Sequence, residues 1–161
     1  MKINIYSYNE AKNNDKIYNW ISVRDIGWDN LYEEFDNNKQ NVLKVYFDDV
    51  TPFSIKHNLL PNFYKEHVLG TRDFVLFNEE MAQDILDFAN KVYSNGEELN
   101  IHCWAGKSRS QAIGAFLNTF FNLFGERNIN DYLGNIERSN ERYMANSWVT
   151  HVFNDILNKK F

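Results

Sequence analysis

Residues 110–124 place apolar side chains on almost every side of a helical wheel, and a helix without a polar face has no stable place on a protein surface. It has to lie near the centre, covered by other elements. Just before it come a polar, glycine-containing stretch at 103–109 and the short run Leu99-Asn100-Ile101-His102, which has the length of a buried strand. Further strands are predicted at Ile3 and Ile5, which alternate with polar neighbours, at 20–25, closed by a turn at Gly27, and at 42–47. The last of these is apolar and β-branched and stops at Asp48-Asp49-Val50-Thr51-Pro52, where two acids and a proline end sheet pairing.

From Asn78 the period changes. Met81, Ile85, Phe88 and Val92 recur at helical spacing, Glu79 and Glu80 occupy the first turn, and Asn95-Gly96 stops the run. Two more amphipathic helices are predicted at 130–136 and 147–158, the second capped by Ser147. Strands alternating with helices predict an α/β fold: one domain with a central, mostly parallel sheet flanked by helices on both faces. The aromatic stripe Phe116, Phe120, Phe121 and Phe124 is read as core. A length of 161 residues suits one domain, with no repeat and no Gly/Ser linker to divide it.

Composition narrows the function. The formal charge is −5, so the broad cationic footprint that nucleic acid or an anionic membrane requires is missing, and neither is the expected partner. The single cysteine, Cys103, rules out an intrachain disulfide and a thiolate-rich metal site. No metal site is read from His57 and His67, ten apart in one loop. The amino-terminal residues lack the apolar run of a signal peptide, and a reducing cytoplasm is the expected compartment.

The chemistry concentrates in His102-Cys103-Trp104-Ala105-Gly106-Lys107-Ser108-Arg109-Ser110. A short loop bent at Gly106 and feeding a helix N-terminus can turn successive backbone N–H groups inward, and the helix dipole adds positive potential at the same point. A tetrahedral dianion fits such a cradle. A cysteine at its mouth has its thiolate stabilised and becomes a nucleophile, while the planar fork of Arg109 can hold two oxygens of a phosphoryl group. Ser110 can donate to the sulfur and help it leave.

The run His-Cys-x-x-Gly-x-x-Arg-Ser resembles the signature of the cysteine-dependent protein tyrosine and dual-specificity phosphatases, and residues 21–27, 42–52 and 145–157 look like the small bacterial and phage members of the dual-specificity-like branch. The resemblance implies a phosphatase-like fold with a phosphate-binding loop between strand and helix. It implies Cys103 as nucleophile, Arg109 as phosphate clamp, Ser110 as thiolate partner, and a pocket lined by the backbone of Trp104, Ala105, Gly106, Lys107, Ser108 and Arg109. His102 would tune and orient the loop. A rhodanese-type sulfur carrier has a different loop length, and an arsenate reductase of the phosphatase type needs further cysteines.

Phosphate-ester cleavage also demands a carboxylic acid to protonate the leaving oxygen. Asp48 and Asp49 both qualify by position, with Asp73 as a third candidate. Similarity to phosphatases with a Phe-acid-Asp sequence after the corresponding strand selects Asp49, 54 residues before Cys103, a separation lengthened by what looks like an insertion at 53–77. That segment carries Lys56, His57, Lys65, His67 and Arg72 among Phe53, Phe63 and Tyr64, and reads equally as a lid or as a surface excursion packed by its own aromatics. Arg24 and Asp25 are read as a structural ion pair at a strand end rather than as pocket rim. The expected activity is hydrolysis of phosphotyrosine in proteins, with phosphoserine and phosphothreonine as further substrates, through a cysteinyl-phosphate and without a cofactor. Alternatives are a non-protein substrate such as a phosphoinositide or an RNA 5′-phosphate, kept open by Lys107, and a catalytically silent phospho-ligand binder.

Overall fold

In the computed structural model, which describes residues 1–123 and 145–160, four strands form one sheet: β1 (Ile3–Ser7), β2 (Tyr18–Arg24), β3 (Gln40–Tyr46) and β4 (Leu99–Cys103). Their order is β1-β4-β2-β3 and every pairing is parallel. Parallel pairing demands crossovers, and helices supply them: α1 (Tyr8–Asn13), α2 (Glu33–Asn38), and, between β3 and β4, α3 (Pro52–Lys56), α4 (Asn62–His67) and α5 (Glu79–Ser94); α6 (Arg109–Phe120) and α7 (Ser147–Lys160) follow the last strand.

The two-residue alternation of the central strands sorts side chains between two helical layers. Ile21, Val23, Leu99, Ile101 and Cys103 face the larger core, which they share with Ile85, Ala89, Ile113, Leu117, Val149 and Phe153 of α5, α6 and α7. Fully burying each such aliphatic or aromatic side chain is worth roughly 1.5–3 kcal/mol. Phe116 and Phe153 stack there with centroids 4.1 Å apart. Trp20 points the other way, into a smaller aromatic layer with Tyr8, Ala11, Tyr32 and Phe35. A third cluster of Val50, Leu60, Tyr64 and Val68 holds the segment after β3 together.

Several sequence expectations change at the edges of elements. α6 begins at Arg109 with Ser108 at its cap position. α7 is capped by Asn146 rather than Ser147: the Asn146 Oδ1 accepts from the N–H groups of Trp148 (3.0 Å) and Val149 (3.3 Å). Phe116 is core, but Phe120 is 40% exposed, so the stripe is only partly buried, and Phe124 lies outside the described residues. The helix expected at 130–136 also lies outside them. Among the described residues no helix is long and apolar enough to cross a membrane.

Candidate active site

The carboxyl ends of β2, β3 and β4 open on one side of the sheet, where a parallel α/β architecture places its ligand crevice. Cys103 ends β4, and residues 104–108 turn the chain into α6. The turn depends on Gly106, whose φ is +70° and whose missing side chain lets the loop lie against β1: a Cβ there would sit 2.7 Å from the backbone nitrogen of Ser7. Two bonds brace the loop. Gln111 donates to the Gly106 carbonyl (3.0 Å), and the Tyr8 N–H donates to the Trp104 carbonyl (3.0 Å), beneath stacked Tyr8 and Trp104 rings. The Cys103 sulfur accepts from the Gly106 N–H (3.2 Å) and lies 3.0 Å from the Ser110 hydroxyl. The first is a backbone donor aimed at the sulfur; in the second either atom can donate.

Arg109, 4% exposed, reaches back under this loop. Its Nη1 donates to Asp25 Oδ1 (3.0 Å) and to the Phe47 carbonyl (2.8 Å), and its Nη2 donates to Asp25 Oδ2 (3.3 Å). Burial works against its charge, but the Tyr64 phenol, Asp25, Cys103 and Asp49 outweigh that penalty and hold the guanidinium pKa above its ordinary value. Its Nε has no acceptor. Among the described residues it is the one buried side-chain nitrogen or oxygen without a hydrogen-bond partner. A donor left unsatisfied in this way is expensive unless a ligand completes it.

The two candidate acids separate cleanly. Asp48 is fully buried and spends its carboxylate on Arg72 Nη1 and Nη2 (2.7 and 2.9 Å) and on the Val75 N–H (2.8 Å), so it faces away from the crevice. Asp49 faces into the crevice, its Oδ1 accepting from the Ser108 hydroxyl (2.7 Å) and from Asn146 Nδ2 (2.9 Å). Asp73 is exposed and borders a separate shallow depression.

Together these groups line a cavity of about 380 Å³ floored by Cys103, Arg109 and Ser108. Lys107 and Ala105 stand exposed at its edge. Its walls are mostly apolar: Trp28, Leu31 and Tyr32 after β2, Pro61, Phe63 and Tyr64 from the segment at 53–77, and Trp104. The Tyr32 phenol is pushed up to about 12, by burial first and by Asp25 second. Segment 53–77 therefore packs on its own aromatics and also walls the cavity, while Phe53, Lys56, His57, Lys65 and His67 stay exposed.

His102 lies across the sheet from Cys103, among the rings of Tyr8, Trp20, Tyr32 and Phe35. Its Nε2 is 2.6 Å from the Ser22 hydroxyl and its Nδ1 is 3.3 Å from the Cys103 carbonyl. Burial drives its pKa down to about 3, so it holds the strand end as a neutral ring.

Sequence reasoning assigned Arg24 and Asp25 to one ion pair, and the structure corrects this. Successive residues at a strand end face opposite ways: Arg24 turns to the aromatic layer and pairs with Asp36, whereas Asp25 faces the crevice and pairs with Arg109. Asn146 was also missed. Its amide donates to Asp49 Oδ1 and, at 3.3 Å, to the Val50 carbonyl, and its own N–H donates to the Ser108 carbonyl. An asparagine before a helix is a recognisable cap; nothing local announces that it also ties two loops together.

No protein-family model and no curated protein matches the chain. Among solved structures it is similar to Tk-PTP in its active form, with a TM-score of 0.55 at 14% identity over 96% of this chain and 90% of that one. A glycine-to-alanine mutant form of Tk-PTP gives 0.56 at 14% identity over 98% and 91%. The fold is PTP-like. The similarity extends along nearly the whole chain, although the sequences have diverged widely.

Proposed function

We propose that this protein is a phosphatase that hydrolyses phosphotyrosine in proteins through a cysteinyl-phosphate. The observation that carries this reading is the buried Nε of Arg109, a cationic donor without an acceptor, in a cavity that Cys103 and Asp49 also line. A phosphoryl oxygen supplies the missing acceptor. With the phosphate seated, the Cys103 thiolate attacks phosphorus, an S–P bond forms, the P–O bond to the phenol breaks, and Asp49 delivers its proton to the departing oxygen. Water then attacks phosphorus while the Asp49 carboxylate takes its proton. The S–P bond breaks and inorganic phosphate leaves. Ser110 and the Gly106 N–H receive the sulfur as its charge returns, and Arg109 stabilises the equatorial oxygens in both steps.

The aromatic walls favour an aryl ester. Trp28, Phe63 and Trp104 offer a phenyl ring apolar contact that the short side chain of phosphoserine cannot use, which supports phosphotyrosine as the better substrate over phosphoserine, phosphoinositides and RNA 5′-phosphates. The test is turnover of a small aryl phosphate. It should be inhibited by orthovanadate and abolished by Cys103→Ser, and a phosphotyrosyl peptide should outrank a phosphoseryl peptide, an inositol lipid and an RNA triphosphate. Turnover that survives Cys103→Ser contradicts the mechanism; binding of phosphopeptide without turnover makes the protein a phospho-ligand binder instead.

A further inference from the structure

We infer that Tyr64 is a positioning residue that ties the arginine clamp to the loop carrying the acid, an inference that rests on the proposed phosphatase reading. Tyr64 lies on α4, in the segment that resembled an insertion, and is 4% exposed. Its hydroxyl accepts from the Asp49 N–H at 2.7 Å and donates to Asp25 Oδ1 at 3.0 Å. The same Asp25 oxygen accepts from Arg109 Nη1 at 3.0 Å.

The direction of this chain is fixed by chemistry. A backbone N–H can only donate and an ionised carboxylate can only accept, so the single phenolic proton must point at Asp25. Burial holds the phenol far above its ordinary pKa, and the proton stays in place across the working range of pH. The ring is held by Val50, Leu60 and Val68 and meets Phe63 and Phe74 edge-on, so the hydroxyl has little freedom to leave either partner.

Two consequences follow for catalysis. Asp25 is oriented by Tyr64 as well as by Arg109, which keeps both Nη groups engaged and leaves Nε as the donor for the phosphate. The Asp49 backbone is pinned at the same point, so the acid and the clamp keep a fixed separation. Without the hydroxyl, a partly buried N–H at Asp49 loses its acceptor and the Asp25 carboxylate loses a donor.

The experiment is a double-mutant cycle on aryl-phosphate turnover with Tyr64→Phe, Asp25→Asn and the pair, each with an orthovanadate inhibition constant and a pH profile. Tyr64→Phe keeps the ring and should lower kcat/KM by roughly 10- to 100-fold, weaken orthovanadate and shift the limb of the profile assigned to Asp49. The double variant should be no worse than Asp25→Asn by more than about twofold, because both act through one chain of bonds. Ile85→Ala is the control: it loosens the larger core, apart from the cluster around Tyr64, so its melting temperature should fall while its pH profile and orthovanadate affinity hold. Wild-type kinetics in Tyr64→Phe, multiplicative effects in the double variant, or equal losses in Ile85→Ala overturn the inference and leave the phosphatase reading standing. A wild-type protein without Cys103-dependent turnover overturns both.

Discussion

Arg24 and Arg109 are both buried, both pair with an aspartate, and both have a pKa held above the ordinary value, yet they are satisfied to different degrees. Arg24 spends Nε on the Ser22 hydroxyl and both Nη groups on Asp36, and its plane lies over the Tyr32 ring at 4.5 Å. Arg109 spends its Nη groups on Asp25 and the Phe47 carbonyl and leaves Nε bare. A guanidinium with an acceptor at every nitrogen holds a strand end. One with an open donor beside a cysteine in a cavity is, in the proposed reading, the one that takes an anion. Burial and charge alone do not separate a structural arginine from a binding one; the completeness of the hydrogen-bond set does.

The sharpest break of this comparison is to replace each arginine in turn. Arg109→Lys keeps the charge but loses the fork, and should reduce kcat for an aryl phosphate by about 10³-fold with little change in melting temperature. Arg24→Met should do the reverse, costing roughly 2–4 kcal/mol in denaturant unfolding while the folded fraction retains turnover. The cost stays below that of a fully orphaned ion because Asp36 keeps contact with water. Similar activity losses in the two variants would erase the distinction.

The neighbouring aspartates extend the same logic to carboxylates. Asp49→Asn should lower kcat on the order of 10²-fold and remove the limb of the pH profile that reports the protonated acid. Asp48→Asn breaks the buried pair with Arg72 and should cost on the order of 3 kcal/mol of stability with the profile intact. A lost limb in Asp48→Asn would reassign the acid.

Smaller effects sharpen the picture of the loop and the strand behind it. Gly106→Ala forces a side chain against the Ser7 backbone at positive φ and should cost about tenfold in kcat/KM as residues 104–108 shift. His102 is neutral when folded, with a pKa near 3, and titrates near its ordinary 6.5 when unfolded. Between those values the unfolded chain holds the extra proton, so stability falls as pH drops below about 6.5, with a slope approaching 1.4 kcal/mol per pH unit from this group. Urea midpoints from pH 7 to pH 4 should show this, and His102→Gln should flatten it.

Much of the frame was legible because it rests on long or strongly patterned runs. α5 announces itself through apolar periodicity, β4 and α6 through a short and a long largely apolar run, and the stretch from His102 to Ser110 through the types and spacing of its residues. The short helices α1 to α4 were missed because five or six residues show too little period to separate from a loop. The roles of Asp25, Tyr64 and Asn146 were invisible for a different reason. Each depends on partners far away in sequence, Asp25 with Arg109 and Asn146 with Asp49, and neither residue type nor local spacing encodes such pairs. Which of Asp48 and Asp49 faces the crevice depends on how the chain turns after β3, where Arg72 and the Val75 N–H hold the Asp48 carboxylate away from it.

The most direct measurement is a crystal structure of the protein with orthovanadate. The account predicts the vanadium above the Cys103 sulfur, backbone N–H groups of residues 104–109 on its oxygens, and Arg109 Nε donating to one of them while Asp25 keeps an Nη group. An anion bound elsewhere, or an occupied cavity in which Nε still has no acceptor, contradicts it.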